Sequence, residues 1–157
     1  MAVGTEMVYR LKDNARLNGV TAQTAGERLE AIRTKHKGRL TPQLVLADAK
    51  PKRSPLHSAF EWDDSAAADA YRLDQARYMI RSITVVIENS PVVRAFVHVT
   101  QNTDDEKTYT HIVAAMESPQ LREQVVADAK AEMVRWRKRY ANLKEFKSVF
   151  DAIDELD

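Results

Sequence analysis

Apolar positions recur along this chain with two periods, first helical, then alternating, then helical again. Between Thr21 and Lys37, residues Ala22, Ala25, Leu29 and Ile32 form one stripe, with Thr21 or Thr24 as cap. Glu27 and Glu30 lie early, Lys35 and Lys37 lie late and Gly38 terminates, as the helix dipole and C-cap favour. Thr41-Pro42 then sets a capping residue before a proline at the first helical position, and Leu44, Val45 and Ala49 complete a short helix ending near Pro51. With the turn Lys37-Gly38-Arg39-Leu40 between them, the two predict an αα-hairpin or a helix-turn-helix-like corner. Upstream, Met7, Val8, Leu11 and Leu17 make a weaker helical pattern over residues 6–18, closed by Gly19.

The stretch from Ser54 to Arg81 joins this half to the rest. Pro55 with Glu61, Asp63 and Asp64 marks a lead-in loop, Ser65 stands where an N-cap belongs, and Asp69 complements the dipole one turn in. Ala66, Ala70, Leu73, Arg77 and Ile80, at spacings of three and four, predict a helix over 65–81, with Ala67, Tyr71 and Tyr78 beside the stripe and the stem of Arg77 at its edge. Leu56, Phe60 and Trp62 supply bulk for its first turn, and Phe60, Trp62, Tyr71 and Ile80 are the expected junction of the core.

Period two then takes over. Ile83 to Ile87 is a β-branched run, and Val92 to Thr100 alternates, so the turn Glu88-Asn89-Ser90-Pro91 predicts an antiparallel hairpin. After the polar loop 101–106, Lys107 to Ile112 reads as a third strand. Ser118-Pro119 opens a helix with Leu121, Val125, Ala129, Met133 and Trp136 along one face to Tyr140. Asn142 interrupts, and Leu143, Phe146, Phe150 and Ile153 form a last amphipathic helix, with Asp151, Asp154, Glu155 and Asp157 at its exposed end. The expected fold is α+β: a helical N-terminal half, a small antiparallel three-stranded sheet at 83–112, and C-terminal helices at 119–140 and 143–155.

At 157 residues the chain suits one domain, 1–157, made of an N-terminal arm (1–20), a basic helical corner (21–53), and the central helix, sheet and C-terminal helices (54–157). The absence of cysteine excludes disulfides and Cys-ligated zinc and fits a reducing cytoplasm. No run approaches the roughly 18 apolar residues of a membrane span, and the start lacks a signal-peptide pattern, so a soluble, unexported protein with no membrane partner is expected. The net charge of +1 hides an asymmetry: residues 1–60 hold 11 Lys/Arg against 5 Asp/Glu, while residues 61–157 hold 13 against 18. A basic and an acidic half suit an anionic partner, each other, or a second copy of the chain.

P-loop, GxGxxG, HExxH and GxSxG signatures are all missing, so no catalytic residue, cofactor or metal is assigned and no small-molecule substrate is evident. His36, His57, His98 and His111 are far apart, though His98 and His111 are placed to meet across adjacent strands; ordinary surface or packed histidines are the alternative. Glu61, Asp63 and Asp64 suit either a hard cation or the dipole of the helix that follows. Arg28, Arg33, Lys35, Lys37, Arg39, Lys50, Lys52 and Arg53 fall on two neighbouring helices and their ends, where a corner can offer them together to phosphates; a solvated face is the alternative. Arg135, Arg137, Lys138 and Arg139 surround Trp136 and Tyr140 as in single-strand binders, but Trp136 also extends the apolar stripe of its helix, which favours packing.

The segments SPLHSAFEWDDSAAADAYRLDQARYMIRSI and RWRKRYANLKEFKSVFDAID resemble a family of small uncharacterised proteins encoded in bacteriophages and prophages, a likeness covering most of residues 21–157. The resemblance implies a viral or prophage protein in the host bacterial cytoplasm, and it implies no activity and no functional residue. Two functions remain in view. One is a non-enzymatic DNA-binding protein that places the corner at 21–53 on phosphate backbones; the other is a phage structural or assembly protein that acts as a homo-oligomer without nucleic acid.

Overall fold

Two threonines start the first two helices as the sequence predicts. Thr21 Oγ1 accepts the Thr24 N–H at 3.1 Å and opens α1 (Ala22–Lys35); Thr41 Oγ1 accepts the Leu44 N–H at 3.2 Å and opens α2 (Pro42–Ala49). The computed structural model of the chain describes residues 6–63, 68–101 and 106–156. α1 ends where the Gly38 N–H reaches back to the Arg33 carbonyl, with Lys37 and Gly38 both at positive φ. Ala25, Leu29 and Ile32 of α1 and Val45, Leu46 and Ala49 of α2 are buried.

Residues 6–18 are not helical. Met7–Leu11 form β1, antiparallel to β2 (Ile83–Ile87) with Tyr9 opposite Val85. The side chains alternate, Tyr9 buried and Val8 and Arg10 exposed, and packing decides the conformation over a spacing that a helix also fits. Tyr9 lies flat against α1 at Gly26, where an added Cβ would stand 2.2 Å from Tyr9 Cγ.

The expected three-stranded sheet exists with different membership. It runs β1–β2–β3, where β3 is Val93–Arg94, while β4 (Phe96–Gln101) pairs with β5 (Glu106–His111) as a separate ribbon. Ala95 divides the run Val92–Thr100 between the two sheets. It is wholly buried, gives its N–H to the Ile83 carbonyl and accepts the Ile112 N–H, so its backbone serves both layers.

α3 (Ala68–Ser82) follows, and the expected cap at Ser65, with Asp64, Ala66 and Ala67, lies outside the described residues. Its inner face carries Ala68, Arg72, Ala76, Met79 and Ile80; the expected Ala70 is exposed, Leu73 and Arg77 are half-buried, and Tyr71 is 55% exposed. The helix turns this way because Arg72 has somewhere to go. Its guanidinium lies 4.9 Å over the Trp62 ring and its Nε–H donates to the Glu61 carbonyl at 2.7 Å. Trp62 in turn donates to the His57 carbonyl and stacks on the His57 ring. Phe60, Trp62 and Ile80 therefore join the core as expected, and Tyr71 does not.

A short helix the pattern did not announce, α4 (Ile112–Glu117), is capped by the His111 imidazole. Ser118 then caps α5 (Pro119–Arg139), and a 3-10 turn leads into α6 (Lys147–Asp154). The architecture is α+β, with a three-stranded and a two-stranded antiparallel sheet between helices. Among the described residues no helix is long and apolar enough to cross a membrane.

Candidate nucleic-acid interface

The turn between α1 and α2 is fastened to the β4–β5 ribbon. Tyr109 gives its N–H to the Leu40 carbonyl at 2.7 Å, the Thr108 hydroxyl holds both backbone groups of Leu40, and Gln101 Nε2 donates to the Gly38 carbonyl at 3.3 Å. Lys107, one residue before Thr108, is thereby set beside the basic turn. Lys35, His36, Lys37, Arg39 and Lys107 line an open cavity of about 640 Å³ that the first turn of α2 also borders. Cationic side chains and a helix N-terminus of positive dipole share this site, the electrostatic requirement for holding an anion.

The eight predicted cations do not all gather there. Lys35, Lys37 and Arg39 line the cavity. Arg28 forms a two-pronged pair with Asp48 at 2.6 and 2.8 Å, and Arg33 does the same with Glu30 at 2.6 and 2.9 Å. Those hydrogen bonds raise both guanidinium pKa values against the opposing effect of burial. Lys50, Lys52 and Arg53 are exposed beyond the C-terminus of α2, whose eight residues put them about 12 Å along its axis from the turn. The sequence does not announce Lys107 as part of this cluster because it belongs to another element; the alternation Lys107-Thr108-Tyr109-Thr110 indicates a strand but not its neighbour.

A second opening adjoins the first. α5 is anchored at its root by Gln124, whose side chain accepts the Thr100 N–H at 2.7 Å and donates to the Thr100 carbonyl at 2.9 Å, and beyond that point the helix leaves a groove along β4. Lys107 lines this groove as well, with Arg94, His98, Asp128, Glu132 and Arg135.

The histidines serve different ends. His98 and His111 do not form a shared site: His98 stacks on Tyr109 with ring centroids 4.7 Å apart, whereas His111 is buried edge-on to Tyr9 and Phe96. His111 Nδ1 accepts the Val113 N–H at 3.2 Å, which leaves the ring proton on Nε2, 3.2 Å from the Tyr9 hydroxyl. Burial pushes the His111 pKa down, with Glu30 opposing and Arg33 assisting, and it pushes the Tyr9 phenol up to about 12. Burial and then Lys107 also lower the His98 pKa, against Asp128.

Among the described residues no group of three or more His, Asp or Glu is placed to hold a metal ion; the Glu61 carboxylate accepts the Asp63 N–H, and Asp64 lies outside them. Trp136 packs against Tyr140, Phe146 and Phe150, with centroids 5.5 to 5.8 Å apart, and so joins α5 to α6. Beside it Arg137 is paired with Asp154 at 2.6 Å and lies over Phe150. Comparison with protein-family models, curated proteins and solved structures finds no match to this chain.

Proposed function

We propose that this is a non-enzymatic nucleic-acid-binding protein of a phage or prophage, acting in the host cytoplasm and holding backbone phosphates at the α1–α2 turn. The observation that carries the reading is the meeting of Lys35, Lys37 and Arg39 with Lys107, from a distant strand, around one open cavity. Lys35, Lys37 and Lys107 have no ion-pair partner among the described residues, while Arg28, Arg33, Arg77 and Arg137 are each held by a carboxylate. Unpaired cations gathered in a concavity raise the local concentration of a polyanion and release its counterions on contact. An amide NMR titration with an oligonucleotide tests this directly. Shifts at residues 35–44 and 106–109 at low ligand ratios are expected; a first response on α6 or at residues 50–53 overturns the placement.

A second reading, assembly by self-association, is favoured by one observation. α5 is 21 residues long, about 31 Å, and buries no residue fully; Val126, Met133, Val134 and, on α6, Val149 remain exposed. On this reading a second copy covers the α5–α6 hairpin. Sedimentation equilibrium of the wild type and of Val134→Glu tests it: an oligomer that Val134→Glu dissociates supports assembly, and a monomeric wild type removes it.

A further inference from the structure

The groove between β4 and α5 is lined by charges of both signs. Arg94, Lys107 and Arg135 supply positive charge and Asp128 and Glu132, one turn apart on α5, supply negative charge, yet none of these side chains has a hydrogen-bond or ion-pair partner among the described residues. Elsewhere on the helices neighbouring opposite charges do close, as in Arg77 with Asp74 and Lys147 with Asp151, both at 2.8 Å. Five charges of both signs left open around a space of about 480 Å³ suit a ligand that itself presents anionic and hydrogen-donating groups together.

The groove also contains an aromatic surface. Tyr109 backs one face of the His98 imidazole, at 4.7 Å and 28°, and His98 is exposed and lines the groove. At neutral pH that ring is uncharged, a flat surface of the kind on which unpaired bases stack. Lys107 borders both this groove and the cavity at the α1–α2 turn, so one strand of nucleic acid can run from the first to the second without leaving a basic edge.

We infer that the β4–α5 groove is the seat of an unpaired nucleobase, stacked on His98, with Asp128 and Glu132 accepting from its exocyclic amine. The inference rests on the phosphate-binding reading of the turn and narrows its ligand to a single strand. A duplex keeps both the base face and the pairing amine occupied, whereas in a single strand both are free. Carboxylate acceptors favour a base with an exocyclic amine, such as cytosine, over thymine, which has none.

The test compares oligo-dC, oligo-dT and a mixed-sequence duplex of equal length at one salt concentration, with oligo-rC alongside to separate RNA from DNA, either of which satisfies the inference. The wild type is expected to bind oligo-dC or oligo-rC more tightly than oligo-dT and the duplex. His98→Ala is expected to weaken single-strand binding by about tenfold, the effect of losing one stacked base, with duplex binding unchanged. His98→Phe keeps the flat ring and is expected to retain affinity. Asp128→Asn with Glu132→Gln is expected to erase the preference for cytosine over thymine. If His98→Ala leaves single-strand affinity intact while Lys35→Ala with Lys37→Ala lowers it, the base seat is overturned and the phosphate reading survives. If the wild type binds none of these ligands, both are overturned.

Discussion

Thr108 answers both backbone groups of Leu40: its hydroxyl oxygen accepts the Leu40 N–H at 2.8 Å and donates to the Leu40 carbonyl at 3.0 Å. Both residues are buried, so this side chain, together with the Tyr109 N–H, fixes how the basic turn meets the ribbon that carries Lys107. Thr108→Val keeps the shape and removes the hydroxyl, leaving a buried N–H without its partner at about 1–3 kcal/mol. We expect that loss in urea denaturation, with Thr108→Ser close to wild type. Unchanged stability in Thr108→Val would show that the turn is held by other means.

Gly26 faces the ring of Tyr9 so closely that a methyl group has no room. Alanine is the better helix former by about 1 kcal/mol, and on an open helix face Gly26→Ala would stabilise. Here overpacking of the ring, about 1–3 kcal/mol, opposes and outweighs it, so a lower melting temperature is expected. Combining Gly26→Ala with Tyr9→Ala should recover part of the difference, since the second change removes the clash; strict additivity would mean the two do not meet.

Lys37 holds a positive φ of 58° at the end of α1, a conformation that costs an L-residue about 1–2 kcal/mol and that glycine adopts freely. Glycine fits this backbone better, and what lysine adds there is its charge. Lys37→Gly is expected to leave stability equal or higher while weakening oligonucleotide binding, and the pair of measurements separates function from folding. A variant that loses stability and keeps affinity would reverse the assignment.

The helical corner was legible because its signals are local: Thr21, Thr41-Pro42 and Gly38 each act on the turn they belong to. β1 was not, although Met7, Tyr9 and Leu11 alternate with Val8 and Arg10, because five residues fit both periods and the pairing with β2 and the seat offered by Gly26 decide between them. Arg72 is hidden in the sequence for a similar reason. A cation on an apolar helix face looks misplaced until Trp62 and the Glu61 carbonyl are known to receive it. At the site, Lys35, Lys37 and Arg39 were visible as a cluster, but Lys107 depends on the bridge between Leu40 and Tyr109, a pairing no local pattern records.

Stability should fall on both sides of neutrality through one hydrogen-bonded pair. His111 is held neutral in the fold, with its pKa below the ordinary 6.5, so the unfolded chain takes up the proton first and stability declines as pH drops below about 6.5. Tyr9 is held protonated up to about 12 against an ordinary 10.0, so the unfolded chain ionises first and stability declines as pH rises above 10.0. Tyr9→Phe should remove the alkaline decline that this phenol contributes and keep the acid one. Melting temperatures across the pH range check it, and an alkaline limb unchanged in Tyr9→Phe would place that titration elsewhere.

On the proposed reading the turn and Lys107, rather than the whole basic corner, touch phosphates. The salt dependence of single-stranded DNA binding tests it most directly, because each phosphate contact contributes about 0.7 to the slope of log affinity against log salt. Lys35→Ala with Lys107→Ala is predicted to flatten that slope by about 1.4, while Lys50→Ala with Lys52→Ala, at the other end of α2, leaves it unchanged. Equal flattening by the two pairs, or none by the first, would contradict this placement of the phosphates.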